Sequence, residues 1–389
     1  MDYIKKSLPE NLNKKGLSLL IVGVVILLAA FVFEPHRAFF DYLWIYMFLV
    51  SIAVGSLGLV ALEYMVGATW STPFRRVMEI TASIIPFLVI LVIPLFFGMH
   101  DLFHWTHTEA VQADKLLTSK SPYLNFEFFT IRTAAILLIW ILFYWFITKN
   151  SESQDDSGDP KFTVRNIKLS MAFGPLFMIT LTVTSIDWMM SLEPHWYSTM
   201  FGVYYFAGTL VAALSVNTFI LLNLKQGGYL HPQIESIHFY SLSTLMFGFN
   251  VFWGYIGFSQ YMLIWYADMP EETFWMLQRW EGSWKYVSIG LIFLHFVIPF
   301  LILVGRQAKT NLKLLRVMAM WLLVMHAYDL YWLIMPTYMK SGAEFGWSEL
   351  SFPLIVSGLT IILFKLKADK KNLIPVRDPK LQAGLDFHL

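Results

Sequence analysis

The residues of this sequence that could do chemistry are ionisable side chains within or beside long apolar segments. They are Glu63, Glu79, Arg132, Asp187, His295, His326 and Asp329. A charged group near the centre of a bilayer costs roughly 2.5–3.5 kcal/mol on insertion scales, so each one needs a physical reason to be there. Carboxylates and imidazoles at such depth can exchange protons after modest changes in their surroundings. The set predicts either a proton pathway or buried pairs that fix helix packing.

Spacing and depth suggest partners for the residues of the outer half. His326 and Asp329 are three residues apart on one predicted helix, so the carboxylate could hold the imidazole proton. Arg132 needs a carboxylate, and Asp187 is the expected partner by depth. A quinone headgroup site is a further interpretation of this set. His295 and His326, at similar depth on adjacent helices, could also bind a b-type haem.

A second charged group lies at the junction between the second and third apolar segments. Glu63, Arg75, Arg76 and Glu79 cluster there, and Arg76 and Glu79 are spaced to pair along a helix. The group is interpreted either as a helix cap with a salt bridge or as the place where protons enter from the inner face.

Composition restricts the class of protein. The 389 residues are 57% hydrophobic and 14% charged, against roughly 25% charged in an average soluble domain. This mixture is typical of a polytopic membrane protein. The chain has no cysteine, which excludes disulfides, iron–sulfur clusters and covalently attached c-type haem on this chain. Electrons passing here would need a quinone, a histidine-ligated haem or another subunit.

Hydropathy predicts ten spanning helices, because about 20 apolar residues cross the hydrocarbon core. Their approximate bounds are 16–33, 39–66, 74–98, 126–148, 166–189, 197–224, 236–265, 284–305, 311–335 and 347–366. With the N-terminus inside, the inner segments carry 20 lysines and arginines and the outer segments carry 6. This bias predicts that both termini are cytoplasmic.

The segments between spans give further expectations. The outer loop 99–125 contains His100, His104 and His107. They are interpreted as solvent-exposed histidines of an interfacial helix, with metal binding as the alternative. Residues 266–283 suggest a second interfacial lid. The inner loop 149–165 is predicted to be a flexible linker, and the tail after 366 to be free or extended over a partner.

A weak internal repeat organises the spans. Asn166 and Asn311 open helices 5 and 9, which carry Asp187 and Asp329 near their outer ends. The predicted fold is therefore an all-α polytopic membrane protein of ten transmembrane helices, with two four-helix bundles formed by helices 2–5 and 6–9. The predicted segments are an N-terminal cytoplasmic stretch at 1–15, flanking helix 1 at 16–37, the bundles at 38–190 and 191–335, flanking helix 10 at 336–366 and a cytoplasmic tail at 367–389.

Three motifs carry a resemblance to a known family. They are SIDWMMSLEPHWYSTMFGVYYFAG (185–208), ATWSTPFRRVMEI (68–80) and GFSQYMLIWYADMPEETFW (257–275). Together they resemble the NrfD/PsrC-like membrane proteins, and within them the F subunits of bacterial alternative complex III, a quinol:cytochrome c oxidoreductase. The resemblance covers roughly residues 10–370.

The resemblance implies a role in electron transport in the bacterial inner membrane. The expected partners are multihaem and monohaem cytochrome c subunits, an iron–sulfur protein, a second NrfD-like subunit that binds quinol, and small membrane subunits. A terminal oxidase is left open as a further associate, and no nucleic acid is expected. Haem and iron–sulfur clusters would lie on the partners, and this chain would be a structural, proton-conducting subunit without a redox centre. Whether it binds a quinone is left open.

Two other functions compete with this one. The chain could be the quinol-binding membrane anchor of another NrfD-type reductase, such as one for polysulfide or nitrite. It could also be a stand-alone transporter, although the sequence lacks a matched pair of helices broken by glycine or proline.

Overall fold

The computed structural model describes residues 7–388. Within that range the chain is all-helical and forms no β-strand. Lys5 and Lys6, which count among the predicted inner charges, lie outside the described residues.

The first half of the chain contains nine α-helices. They are α1 (Asn11–Phe33), α2 (Pro35–Val66), α3 (Thr72–Thr81), α4 (Leu88–Phe97), α5 (Met99–Leu102), α6 (Thr108–Ala113), α7 (Lys115–Lys120), α8 (Phe126–Ser157) and α9 (Lys161–Trp188). A 3₁₀ segment, Ala82–Phe87, joins α3 to α4 and contains Pro86. Proline lacks the N–H that an α-helical turn requires, so the helix is interrupted where it stands.

The second half contains nine more. They are α10 (Phe201–Gln226), α11 (Ser236–Ala267), α12 (Pro270–Gln278), α13 (Trp284–Gly290), α14 (Ile298–Leu303), α15 (Arg306–Thr310), α16 (Leu312–Ile334), α17 (Ser351–Ala368) and α18 (Leu381–Leu385). A π-helical segment, Leu291–Val297, joins α13 to α14.

Nine helical segments in the described part of the chain are long and apolar enough to cross a membrane. The chain is therefore a multi-pass membrane protein. The predicted seventh span corresponds to α11, which has 32 residues but is not one of the nine. Its sequence is rich in tryptophan, tyrosine, glycine and amide side chains, which lower its mean hydropathy.

Helix α2 lies at the centre of the molecule, with 94% of its most apolar window buried. It packs against α9, α10 and α16. Two glycines permit this close approach. A Cβ at Gly55 would lie 2.8 Å from that of Ala213, and one at Gly58 would lie 2.5 Å from the Phe177 ring. Gly55 thus makes the α2–α10 contact tight enough for short polar side chains to meet across it, and Gly58 does the same for α9.

Helices α1 and α17 pack on each other at the periphery. Only 22% of the apolar window of α1 is buried. Gly16 and Gly358 face each other, and a Cβ at Gly358 would lie 2.6 Å from the backbone nitrogen of Leu20. Small residues that bring two helix backbones together are a common means of association between membrane helices.

The segments predicted to be cytoplasmic are more ordered than the sequence suggests. The prediction of a flexible linker at 149–165 is wrong for most of that segment, because α8 continues to Ser157 and α9 begins at Lys161. The tail is also not free. Its helix α18 packs on α3, and Gly384 accepts a hydrogen bond from His238 Nε2 at 2.9 Å.

The turn between α9 and α10 is held by aromatic contacts with segment 266–283, the predicted interfacial lid. The indole rings of Trp196 and Trp275 are stacked, with centroids 4.2 Å apart. Trp196 Nε1 also donates to the carbonyl oxygen of Glu272 at 3.1 Å. These contacts join the first motif segment to α12, which belongs to the third.

Candidate functional site

At the end of the molecule that the loop charges predict to be cytoplasmic, Arg75 lies at the centre of a buried charge cluster. Its side chain is 1% exposed, and Nη1 contacts Glu63 Oε1 at 2.9 Å. Its Nη2 contacts Asp378 of the tail, and its Nε lies 3.6 Å from Glu79 Oε1. The short helix α3 supplies Arg75, and the last turn of α2 supplies Glu63. A guanidinium suits this place because its five donors serve several carboxylates at once.

Arg76 extends the cluster to α8. It pairs with Glu79 Oε2 at 2.8 Å, as the spacing in the sequence predicts, and with Asp155 Oδ2 at 2.5 Å. The cluster thus contains four carboxylates and two guanidiniums. A buried excess of negative charge favours the binding of a proton. Asp155 and Asp378 were not among the predicted site residues, because their segments were interpreted as a linker and a tail.

Above this cluster, polar side chains meet between α2, α3 and α10. Thr81 Oγ1 donates to Asn217 Oδ1 at 2.9 Å, and Asn217 Nδ2 donates to Ser56 Oγ at 2.7 Å. All three residues are at most 2% exposed. Glu79 and Thr81 both lie on α3, two residues apart, and no hydrogen bond joins the acidic cluster to this group in the described structure.

A second polar contact lies further along the same helix pair. Ser51 Oγ donates to Tyr205 Oη at 3.0 Å, and the Tyr205 hydroxyl donates to the carbonyl oxygen of Met47 at 3.0 Å. Thr209 lies between Asn217 and Tyr205 on α10, and its buried hydroxyl has no hydrogen-bonding partner among the described residues.

At the opposite end of the molecule, Asp329 is held by groups from two other helices. The Tyr204 hydroxyl donates to Asp329 Oδ1 at 2.5 Å, and Trp253 Nε1 donates to Oδ2 at 3.1 Å. The expected bond between His326 and Asp329 is therefore wrong. Both ring nitrogens of His326 lack a partner in the described part of the chain. Two donors from α10 and α11 occupy the carboxylate instead.

His326 and Asp329 both lie against the backbone of α10. A Cβ at Gly208 would lie 3.1 Å from the His326 ring and 3.7 Å from Asp329 Oδ2. Thr209, the next residue, lies against α2 instead, where a Cβ at Gly55 would lie 3.0 Å from its Cγ2. About 20 Å of α10 separates Asn217 from Tyr204, at 1.5 Å per residue.

His295 lies in the π-helical segment and is fully buried. Its ring packs on Trp253 with centroids 3.8 Å apart. Neither of its nitrogens has a hydrogen-bonding partner within residues 7–388. His326 packs on a different ring, that of Phe48, at 5.8 Å. The haem interpretation of the two histidines stays untested.

The predicted pair of Arg132 and Asp187 is confirmed. Arg132 Nε contacts Asp187 Oδ2 at 2.8 Å, and Nη2 contacts Oδ1 at 3.1 Å. Tyr123 adds a hydrogen bond to Oδ1 at 3.0 Å, and its ring lies 3.8 Å below the guanidinium. No direct contact joins this pair to Asp329 in the described structure. It is a separate site, formed by α8 and α9.

We expect substitutions of Arg132 and Asp187 to have strongly coupled effects on the free energy of unfolding. Changing Arg132→Met or Asp187→Leu alone leaves one buried charge without a partner, which should cost about 3–5 kcal/mol of unfolding free energy. The double variant should recover most of that loss. The measurement is the unfolding free energy from detergent titration. The exposed Lys161–Asp159 pair is the control, where Lys161→Met should cost under about 1 kcal/mol. Additive losses in the double variant would contradict the prediction.

The first outer loop is tied to the α9–α10 turn. His195 Nε2 lies 2.5 Å from Asp114 Oδ2, and Lys120 Nζ donates to the carbonyl oxygen of Pro194 at 2.6 Å. Asp114 also caps α7 through the backbone N–H of Leu116 at 2.7 Å. The hydrogen bond from His195 lowers the pKa of the Asp114 carboxyl from its usual value.

The contact between His195 and Asp114 should break at acidic pH. A carboxyl group whose pKa is lower in the folded state than in the unfolded state stabilises the folded state at pH values above its unfolded pKa. This stabilisation is lost as the pH falls through the pKa that the group has in the folded state. The loop should therefore stay attached at neutral pH and loosen below about pH 4. Because the chain has no cysteine, spin labels at Gln112→Cys and Ser198→Cys report the distance directly. Asp114→Asn should loosen the loop at neutral pH as well. An unchanged label distance in that variant would contradict the prediction.

The three histidines of the first outer loop lie close to one another. The rings of His100 and His107 are 4.9 Å apart, and those of His104 and His107 are 6.0 Å apart. His107 Nε2 bonds to the carbonyl oxygen of His100 at 2.9 Å. His100 lies in α5, His104 lies in a 3₁₀ turn (His104–Thr106) and His107 precedes α6, in place of the single interfacial helix that the sequence suggests.

The structure thus places the predicted residues in three groups. Glu63 and Glu79 share Arg75, Arg132 pairs with Asp187, and Asp329 lies beside His326 with Trp253 linking it to His295. The intervening hydroxyl groups were missed. A signal for them exists, because the hydroxyl groups of Tyr205 and Thr209 lie four residues apart on α10 and the amide of Asn217 follows eight residues later. Searches of protein-family models and of curated proteins find no match for this sequence.

Proposed function

We propose that this chain is a proton-conducting membrane subunit of a quinol:cytochrome c oxidoreductase of the alternative complex III type, with no redox centre of its own. The observation that carries the proposal is the series of buried polar side chains along the α2–α10 contact. It begins at the inner charge cluster and ends at Asp329. Such groups are costly in a membrane interior, so their alignment between two acidic sites favours a transport role over a purely structural one.

The chemistry of the series suits proton transfer. Hydroxyl groups donate and accept at the same time, and Ser51, Ser56, Thr81 and Tyr205 are all of this type. Protons would be collected at Glu63 and Glu79 and would reach Asp329 by way of the groups around Asn217. Unpaired polar atoms, such as that of Thr209, mark places where water would bridge the gaps. Asp329 would bind and release the proton at the outer end.

The membrane arrangement belongs to the same proposal. All ten predicted helices would cross the bacterial inner membrane, α11 included, with both termini in the cytoplasm. The second to fifth and the sixth to ninth of the ten predicted spans would form two related bundles. The loop charges support this orientation. The three motifs that resemble the family contribute to the inner cluster, to the α9–α10 turn and to α11 and α12.

Purification of the native assembly through a tag on this chain tests the proposal. Mass spectrometry should find cytochrome c subunits, an iron–sulfur protein and a second NrfD-like subunit, and the optical spectrum should show c-type haem. The preparation should oxidise quinol and reduce cytochrome c. A chain that purifies alone and colourless would overturn the oxidoreductase assignment. A molybdenum enzyme among the partners would support the alternative role as the anchor of another reductase.

A further inference from the structure

A groove with basic and aromatic walls lies between the end of α8 and the beginning of α9. This is the end of the molecule that the loop charges predict to be cytoplasmic. The groove has a volume of about 500 Å³, and ligand-binding clefts commonly measure roughly 300–1,000 Å³. Three cationic side chains line it: Lys149 of α8 and Arg165 and Lys168 of α9. The proposed proton pathway uses none of the three, so the groove needs a separate explanation.

The positive charge of the groove is not balanced by its own walls, because no acidic residue lines it in the described structure. Nearby acids are engaged with other cations. Glu152 pairs with Lys371, and Asp159 Oδ2 lies 2.6 Å from Lys161 Nζ. Asp159 attracts Arg165 only from a longer distance. A concave surface lined by charges of one sign concentrates ions of the opposite sign, so an anionic occupant is favoured.

A buried amide pair fixes the two helix ends that form the groove. Asn150 Nδ2 donates to Asn166 Oδ1 at 2.9 Å, and Asn166 Nδ2 donates to the carbonyl oxygen of Ile147 at 3.0 Å. Asn166 is fully buried, so these hydrogen bonds lie between the helices and away from water. The cations are therefore carried by two helices in a fixed arrangement.

Aromatic rings hold two of the cations beside the groove. Lys149 Nζ lies 4.5 Å from the centroid of the Trp145 ring, and Arg165 Cζ lies 5.6 Å from that of Phe162. A cation within about 6 Å of a ring centroid is attracted by the ring, which limits the freedom of the side chain. Less freedom is then lost when an anion binds.

An exposed apolar surface continues from the groove along α8. Leu142, Trp145 and Phe146 are 42%, 48% and 44% exposed, and they precede Lys149 by one to two helical turns. These turns lie on the bilayer side of Lys149. Tryptophan is enriched where the hydrocarbon core meets the headgroups, which agrees with the position of Trp145. The occupant that matches both surfaces therefore has an anionic group and a hydrocarbon chain.

From these observations we infer that the groove binds an anionic phospholipid. Its phosphate lies among Lys149, Arg165 and Lys168, and an acyl chain follows the exposed face of α8. A guanidinium binds two phosphate oxygens at once, and lysines add point charges. Phosphatidylglycerol and cardiolipin share this chemistry. The inference concerns binding alone and does not depend on proton conduction or on any partner subunit.

Native mass spectrometry of the full chain in a non-ionic detergent tests the inference. The probes are phosphatidylglycerol, cardiolipin and the zwitterionic phosphatidylethanolamine. Lys149→Gln, Arg165→Gln and Lys168→Gln should each weaken binding of the tightest anionic lipid about fivefold, and the triple variant about 100-fold. All three positions are exposed, so the variants should remain folded.

A control variant removes the same charge from exposed positions outside the groove, at the same end of the molecule. It combines Arg306→Gln, Lys313→Gln and Lys370→Gln. The tightest anionic lipid should bind to this variant as it binds to the unchanged chain. Equal weakening in the two triple variants would overturn the inference, because net charge alone would then govern binding.

The remaining outcomes separate the possible occupants. Similar affinities for phosphatidylglycerol and cardiolipin assign the groove to a single phosphate. Cardiolipin binding at least tenfold tighter assigns it to a lipid with two phosphates. Equally tight binding of phosphatidylethanolamine would overturn the inference, and so would displacement of the lipid by millimolar inorganic phosphate. A carbodiimide cross-link from Lys149 or Lys168 to a carboxylate of a partner in the native assembly would overturn it in favour of a protein interface.

Discussion

Replacing Asp329 with asparagine should reduce proton flux through the chain at least tenfold while leaving the fold intact. Asparagine has the shape of aspartate and keeps an acceptor for the Tyr204 hydroxyl, which lies 2.5 Å from Oδ1, and it loses only the hydrogen bond that Oδ2 accepts from Trp253 Nε1. It cannot bind and release a proton at pH values where a carboxyl group can. The measurement is the acidification of liposomes containing the purified chain or complex, with a potassium gradient as the driving force and a pH-sensitive dye inside.

Controls distinguish transport from stability. Asp159→Asn removes a partly exposed carboxylate outside the series and should leave the flux unchanged. Asp329→Glu should restore part of the flux, since the acid function returns. Tyr204→Phe removes the short hydrogen bond and should also lower the flux. Unchanged flux in Asp329→Asn would refute the pathway. Loss of assembly in that variant, with normal flux in Tyr204→Phe, would make Asp329 a structural residue.

Replacing Arg75 with methionine should destabilise the protein by about 3–5 kcal/mol, because the substitution leaves buried carboxylates without their counter-charge. Arg75 contacts Glu63 at 2.9 Å and also contacts Asp378, and both carboxylates are almost fully buried. The unfolding free energy from detergent titration and the monodisperse fraction on size exclusion both measure the loss. Because the tail supplies Asp378, the same variant should release the tail to added protease.

The exposed Arg165 provides a matched comparison on the same side of the molecule. Arg165→Met should change stability by less than about 0.5 kcal/mol. Adding Asp378→Asn to the Arg75→Met variant should recover part of the stability, since one uncompensated charge disappears. Equal stability of Arg75→Met and Arg165→Met would contradict the described cluster.

Local patterns in the sequence were sufficient for some of these features. Of the ten helices that the apolar segments predicted, nine in the described structure are long and apolar enough to cross a membrane, because membrane hydropathy is a property of about 20 consecutive residues. The pairing of Arg76 with Glu79 followed from a spacing of three residues on a helix. Depth alone identified the partner of Arg132, since few carboxylates lie at its level.

Groups that meet from distant segments could not be predicted in this way. Asp378 is 303 residues from Arg75 in the chain, and polar composition alone suggested a free tail. Segment 149–165 also had the composition of a linker. Its helical turns persist because Gln154 bonds to Thr163 at 2.7 Å and Asp155 pairs with Arg76. The composition of a segment determines the free-energy cost of exposing it to water. It does not reveal which other part of the chain packs against the segment.

By itself, the sequence determined that this is a helical, multi-pass membrane protein with ionisable groups at both ends of its apolar segments. Tertiary structure alone decided which of those groups touch. Tyr204 and Trp253 hold Asp329 in place of His326, and hydroxyl groups on α2 and α10 align between the two ends. The reason is that a buried polar atom bonds to whichever donor or acceptor the packing of helices brings within about 3 Å. That packing depends on the shapes of residues such as Gly55 and Gly208, far apart in the chain.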